Sequence, residues 1–193
     1  MCNSKVAPDA AELAFAIGDV VIVSGLPGSG KSTLIERAVA DLDAAGGLVA
    51  RVDSQHVRDA WERGLPGRMP YAVLRPAVRV AHYVRLHRRL RPDGGAVVHD
   101  CGAHPWVRRL AAYHARRRGR RVHLVLLDVP PRVALEGQAR RRRRVSRRAF
   151  RRHVRAFGRL VADAKAGRPP DGCRSAVLLD RDAADALKAI RFK

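Results

Sequence analysis

An apolar, β-branched run, Asp19–Ser24 (DVVIVS), leads directly into Gly25-Leu26-Pro27-Gly28-Ser29-Gly30-Lys31-Ser32, and a helical pattern begins where that octapeptide ends. The octapeptide is a complete GxxxxGK[ST], set between strand and helix, which is the context that makes the motif meaningful. The constraint is physical. Gly28 and Gly30 allow backbone conformations closed to other residues, so consecutive N–H groups can turn inward around an anion. A helix starting near Lys31 brings the positive end of its dipole to the same point. Lys31 then reaches the β- and γ-phosphates of a nucleotide, and the Ser32 hydroxyl is placed to coordinate Mg²⁺. The expected phosphate-binding residues are Gly25, Pro27, Gly28, Ser29, Gly30, Lys31, Ser32 and Thr33.

Four more apolar runs follow the same plan: Leu48–Asp53, Ala96–Asp100, Val122–Val129 and Ala176–Asp180. Their apolarity is continuous rather than alternating, as in strands covered on both faces of a parallel sheet. Helical patterns fill the gaps. Ser32–Ala45 places Leu34, Ile35, Ala38 and Leu42 on one stripe and meets Gly46-Gly47. Pro76, Pro105 and Pro131 each stand where a helix can begin, because the first turn does not need their missing N–H. Ser146 is a suitable N-cap for Arg147–Ala166, with Phe150, Val154, Phe157 and Val161 on one face. Asp182 is placed to cap a last helix, with Leu187 and Ile190 inward. Repeated β-then-α with short links predicts a doubly wound α/β fold.

Length and charge narrow the class further. A chain of 193 residues supports one domain of ordinary size. Cys2, Cys101 and Cys173 are an odd count without CxxC spacing, which argues against a disulfide framework or a zinc site. No apolar run reaches membrane-spanning length and residues 1–18 lack a signal-peptide pattern, so a cytoplasmic protein is expected. Of 39 basic residues, 34 are Arg, in a chain rich in Ala, Val, Gly and Pro. A GC-rich coding sequence produces that bias without any partner. The distribution is more telling than the total of +21, since residues 132–160 hold 12 Arg against Glu136 alone. Such a field attracts polyanions: nucleotides, phosphorylated substrates or nucleic acid.

Asp53, Asp100 and Asp180 end apolar runs, and in an open parallel sheet the ligand crevice lies at the carboxyl ends of the strands. Asp100 stands where a carboxylate holds Mg²⁺ through water. Asp53 can face the γ-phosphate from the acceptor side and take a proton from a hydroxyl. Each of the two can also be read as a helix cap, and for Asp180 the cap is the better reading.

From about Asp19 to Asp180 the chain resembles the P-loop kinases, the group containing shikimate, gluconate and adenylylsulfate kinases, polynucleotide 5′-kinase, chloramphenicol phosphotransferase and zeta toxins. Val52-Asp53-Ser54-Gln55-His56-Val57-Arg58 resembles the LDGDxxR stretch of adenylylsulfate kinases, and Val52-Asp53-Ser54 also resembles chloramphenicol phosphotransferase. That resemblance implies Asp53 as the acceptor-activating general base and Arg58 as a substrate-binding residue. Gln55 replaces the second Asp of LDGD, a departure that points away from adenylylsulfate itself. Val97-Val98-His99-Asp100-Cys101-Gly102 followed by Pro105 resembles the third-strand turn of polynucleotide kinases.

The resemblance implies a three-layer α/β/α sandwich, a five-stranded parallel sheet in the order 2-3-1-4-5, and a single domain over residues 1–193. It also implies an Arg-rich helical LID at about 138–150, in which Arg140 and Arg144, at i and i+4, would close on the triphosphate. The segment Trp61–Leu90 would cover the acceptor, with Arg75, Arg79 and His82 spaced along one helical face, and Gly167–Pro170 would lie near adenine.

The expected activity is transfer of the ATP γ-phosphate to a hydroxyl of a small molecule, with ATP and Mg²⁺ as cofactors; Lys31, Asp53, Arg140 and Arg144 are the catalytic candidates. Ser32 and Asp100 are the metal candidates, and Asp53, Arg58, Arg75 and Arg79 the acceptor-binding ones. Two alternatives stand beside it: a polynucleotide 5′-hydroxyl kinase acting on RNA or DNA ends, and a nucleotide-binding regulatory ATPase. Against the first, nine aromatic residues spread along the chain offer no evident stacking platform. Against a GTPase switch, no NKxD occurs. The length leaves no room for the lid domain of an AAA+ motor. An anionic acceptor is allowed by Arg58 but not required by it.

Overall fold

A computed structural model describes residues 5–6, 12–52, 94–100, 105–140 and 145–193. Its strands are β1 (Lys5–Val6), β2 (Glu12–Phe15), β3 (Val20–Gly25), β4 (Ala50–Val52), β5 (Ala96–Asp100), β6 (Val122–Leu127), β7 (Ser175–Leu179) and β8 (Ala189–Phe192). Its helices are α1 (Lys31–Ala38), α2 (Pro105–Arg116), α3 (Pro131–Arg140), α4 (Arg147–Lys165) and α5 (Arg181–Ala186).

Five strands form a parallel sheet in the order β4-β5-β3-β6-β7, which is the 2-3-1-4-5 order expected for the five apolar runs. β1 adds two residues beyond β7. Every residue of β3 and β5 is buried, so both faces of the sheet are covered, as a three-layer α/β/α sandwich requires. This is why the runs do not alternate: a strand buried on both sides has no solvent face. Register positions the site. Ser24 lies opposite Asp100, so β3 and β5 finish together, and the chain leaves β3 at Gly25 over the carboxyl edge of the sheet.

The other end of the sheet holds an element the sequence reading did not anticipate. β2 and β8 pair in parallel, from Glu12 with Ala189 to Phe15 with Phe192. The Phe192 ring fills the space a side chain on Gly95 would need, its nearest carbon 2.5 Å from where a Cβ would stand. Gly95 immediately precedes β5, so this small sheet packs against the amino end of the large one. Burying one such phenylalanine contributes about 1.5–3 kcal/mol.

A polar network ties the same end together. Asp19 Oδ1 accepts from the Arg121 N–H at 2.8 Å, and Asp19 Oδ2 is 3.0 Å from His123 Nε2. With Nε2–H donating to Asp19, His123 Nδ1 is left to accept from the Ser175 hydroxyl at 2.8 Å. Burial opposes the Asp19 charge, but the hydrogen bonds from His123 and Arg121 outweigh it and hold the carboxyl below the ordinary aspartate value of 3.8. A depressed folded-state value means stabilisation that is present above the unfolded pKa and is lost as pH falls through the folded one. Asp19→Asn should therefore lower the unfolding free energy by about 1–3 kcal/mol at neutral pH. In urea melts the gap from the unmodified chain should close as pH drops below about 4; an equal gap at both pH values would mean that the charge is not the cause.

The helices follow their capping chemistry. α1 is shorter than the 32–45 expected. Val39 turns extended and bridges Ile190, and Asp43 organises a turn, its Oδ1 accepting from the N–H groups of Ala45 at 3.0 Å and Gly47 at 2.7 Å. Leu34, Ile35 and Ala38 are buried as expected, but Leu42 is 53% exposed. An aspartate that bonds nearby amides competes with helix, and periodicity alone does not register it. α4 starts at Ser146, whose hydroxyl accepts from the Ala149 N–H at 3.3 Å. Phe150, Phe157 and Val161 of that helix are buried and Val154 is half-buried. Asp180 caps α5, accepting from the Ala183 N–H at 2.8 Å, whereas Asp182 sits in its first turn. Among the described residues no helix is long and apolar enough to cross a membrane.

Candidate functional site

β3 delivers the chain to a loop at Gly25, and α1 receives it at Lys31. Within the loop Gly28 has φ 87° and Gly30 φ 97°, in the left-handed region that side chains other than glycine rarely adopt. Gly30 is the N-cap of α1, so no side chain caps the helix, and no acid stands in its first turn. The positive end of the dipole is thereby left for an anion. Ser29 is buried, and its N–H bonds the Leu26 carbonyl at 3.0 Å, folding the loop on itself.

Lys31 is 4% exposed. Its Nζ donates to the carbonyls of Gly25 at 2.9 Å and Leu26 at 2.8 Å and lies 3.4 Å from Ser29 Oγ. The ammonium is thus held against the loop's own oxygens, in the part of the molecule where the sequence places phosphate.

Gly28 has a second role. A Cβ on it would stand 2.2 Å from the Ala134 carbonyl oxygen, and a Cβ on Gly137 would stand 2.2 Å from the Gly28 oxygen. α3 and the loop are therefore in backbone contact, and neither position has room for a side chain. Gln138, 5% exposed, reinforces the contact: its Nε2 donates to the Pro27 carbonyl at 3.0 Å, and its Oε1 accepts from the Val145 N–H at 3.1 Å. One amide side chain therefore fastens both flanks of the arginine run to the loop. Arg140, the last residue of α3, is exposed.

Across from the loop, Asp100 closes β5 with 7% exposure. Arg108 of α2 is also buried, its Nη1 3.9 Å from Asp100 Oδ2. Ser32 Oγ is buried and, among the described residues, has no hydrogen-bond partner. A buried hydroxyl without a partner is costly unless something else meets it. Hydroxyl and carboxylate oxygens suit a hard dication, so Ser32 and Asp100 fit Mg²⁺. Among the described residues no group of three His, Cys, Asp or Glu side chains forms a metal site by itself, so an ion here would take phosphate oxygens as further ligands. Cys173 has no part in this chemistry: burial pushes its thiol up to about 11.

Of the residues singled out from the sequence, Gly25, Pro27, Gly28, Ser29, Gly30, Lys31, Ser32, Thr33 and Asp100 come together at the carboxyl edge of β3 and β5. Arg140 ends the helix that touches the loop. Asp53, Arg58, Arg75, Arg79, His82 and Arg144 lie outside the described residues. Arg108, Gly137 and Gln138 were not singled out. For Gly137 a signal existed, since a glycine inside a helical pattern often marks close backbone approach. Gln138 and Arg108 had none, because nothing local distinguishes a bridging amide or a buried guanidinium from solvated ones.

A family model described as an AAA domain matches residues 20–161, well over half of the chain. No curated protein matches it. Among solved structures, a presumed kinase from Chloroflexus aurantiacus is similar at 15% identity, over 86% of this chain and 87% of that one, with a TM-score of 0.56. The APS kinase CysC of Mycobacterium tuberculosis, solved with AMPPNP and APS, is similar at 22% identity, over 89% and 95% of the chains, with a TM-score of 0.45. Shikimate kinase from Bacteroides thetaiotaomicron matches at 11% identity, over 85% and 86%, with a TM-score of 0.44. The family match covers the segment from β3 into α4 and says nothing of motor activity. This chain belongs to the AAA domain family, and in fold it is similar to the Chloroflexus aurantiacus structure.

Proposed function

We propose that this protein is a Mg²⁺-dependent phosphotransferase that moves the γ-phosphate of ATP to a hydroxyl of a small molecule. It would work as a single domain over residues 1–193, with residues at about 138–150 as its LID and the cytoplasm as its location. The observation that carries the reading is the loop itself: two left-handed glycines, an uncapped helix start and a buried lysine ammonium converge within one turn. That combination is what binding a triphosphate tail needs.

In this reading Gly25 to Thr33 hold the β- and γ-phosphates, and Lys31 exchanges loop carbonyls for phosphate oxygens. Mg²⁺, bound by the Ser32 hydroxyl and by Asp100 through water, would neutralise charge on the β- and γ-phosphates. Asp53 takes the proton of the acceptor hydroxyl as its oxygen bonds to the γ-phosphorus and the bond to the ADP oxygen breaks. Arg140 and Arg144 stabilise charge on the transferring group, for which a guanidinium fork suits two oxygens at once. Arg58, Arg75 and Arg79 bind the acceptor. Gln138 supports the LID assignment, because it links the chain just beyond the arginine run to the loop.

The test is a screen of hydroxyl-bearing metabolites, antibiotics and 5′-hydroxyl oligonucleotides with ATP and Mg²⁺, followed by the mass gain of one phosphoryl group. Acceptor-dependent ADP release with a phosphorylated small molecule is expected. Labelling of the oligonucleotide alone would make the protein a polynucleotide kinase. Hydrolysis indifferent to every acceptor would make it a regulatory ATPase, and no heat on titrating ATP would end the reading altogether.

A further inference from the structure

α4 carries a second basic feature, which begins at the end of the proposed LID and runs well beyond it. Arg147, Arg148, Arg151, Arg152, Arg155 and Arg159 are all exposed, and at 100° per residue they occupy one side of the helix. Phe150, Phe157, Leu160, Val161 and Ala164 occupy the opposite side and are buried. Among the described residues no carboxylate pairs with any of the six. The helix's one acid, Asp163, is taken by Arg168 at 3.2 Å. Like charges at i and i+4 destabilise a helix, so this side is strained by its own repulsion until an anion meets it.

We propose that this side of α4 is a binding surface for the phosphodiester backbone of a nucleic acid. Its shape suits a line of phosphates: positions 147 to 159 extend about 18 Å along the helix at 1.5 Å per residue. That length can meet several successive phosphates of one strand. Arginine is the residue suited to such contacts, because its fork bonds two phosphate oxygens. A membrane is disfavoured, since an interfacial helix exposes large apolar residues beside its cations and those of α4 are buried in the core. The surface also starts beside the phosphate loop: Val145, two residues before α4, is fastened through Gln138 to Pro27. The contact is to backbone, so it carries no base preference.

The test separates this surface from the general charge of the chain. The probe is a fluorescent single-stranded oligonucleotide with a 5′-phosphate, which has no hydroxyl at that end to act as acceptor, and anisotropy is read without nucleotide over a salt series. The variant Arg151→Gln, Arg155→Gln, Arg159→Gln is compared with Arg116→Gln, Arg121→Gln, Arg174→Gln, which removes the same charge from exposed positions elsewhere. Glutamine keeps helix propensity. The α4 variant should bind at least about tenfold more weakly at physiological salt, with a salt slope smaller by about two; the control should stay near the unmodified protein. Equal losses in both variants, or an unchanged slope, would overturn the proposal. So would binding to phosphatidylserine vesicles without binding to the oligonucleotide. Because no nucleotide is present, the outcome is independent of whether the chain is a kinase.

Discussion

Lys31→Met should reduce γ-phosphate transfer by about 10³-fold or more while leaving the protein folded. Lys31 is 4% exposed, so methionine keeps the buried stem and deletes only the ammonium. What the folded protein loses is the charged donor to the Gly25 and Leu26 carbonyls, at 2.9 and 2.8 Å. Hydrogen bonds to a charged group contribute about 1.5–3 kcal/mol, so a moderate fall in melting temperature is expected as well. The two losses are separable. In the transition state the γ-oxygens carry spread negative charge, and a cation fixed beside them lowers the barrier without reorganising. If Lys31 acts there, turnover collapses while the melt shifts modestly. If Lys31 only ties the loop together, stability falls and turnover per folded molecule is normal. Steady-state ADP release, normalised to the folded fraction by circular dichroism, distinguishes them.

The parts of the fold read from sequence were those in which local chemistry and tertiary outcome coincide. The five apolar runs, the helix starts at Pro105 and Pro131 and the Ser146 cap all emerge at or within two residues of the expected positions, because burial and capping act over a few neighbouring residues. The strand order came from family resemblance, since no local signal specifies which strands pair. What escaped notice was long-range. β2 pairs with β8 across nearly the whole chain, and the Asp19–His123–Ser175 network joins residues more than 50 positions apart. Each partner looks ordinary by itself. The site shows the same division. GxxxxGK[ST] is contiguous and therefore visible, whereas the Gly28–Gly137 contact and the Gln138 bridge arise only when α3 is laid on the loop. Leu42 is the counter-case, where periodicity overreached because Asp43 offered the backbone a better set of bonds.

Asp53→Asn should lower kcat by about 10²–10⁴-fold with ATP affinity unchanged. β4 ends at Val52, which is 2% exposed and paired with Val98 two residues before Asp100. β4 thus ends at the carboxyl edge of the sheet, where the ligand crevice of an open α/β sheet lies. Asparagine has the same size as aspartate but cannot take a proton from an attacking hydroxyl, so the limb of the kcat/KM pH profile that reports the carboxylate should vanish with it. The substitution also discriminates between the two readings of this residue. Asparagine caps helices as well as aspartate does. Were Asp53 a cap, the variant would keep both its turnover and its melting temperature; were it the base, calorimetry would find ATP bound as before and phosphoryl transfer nearly gone.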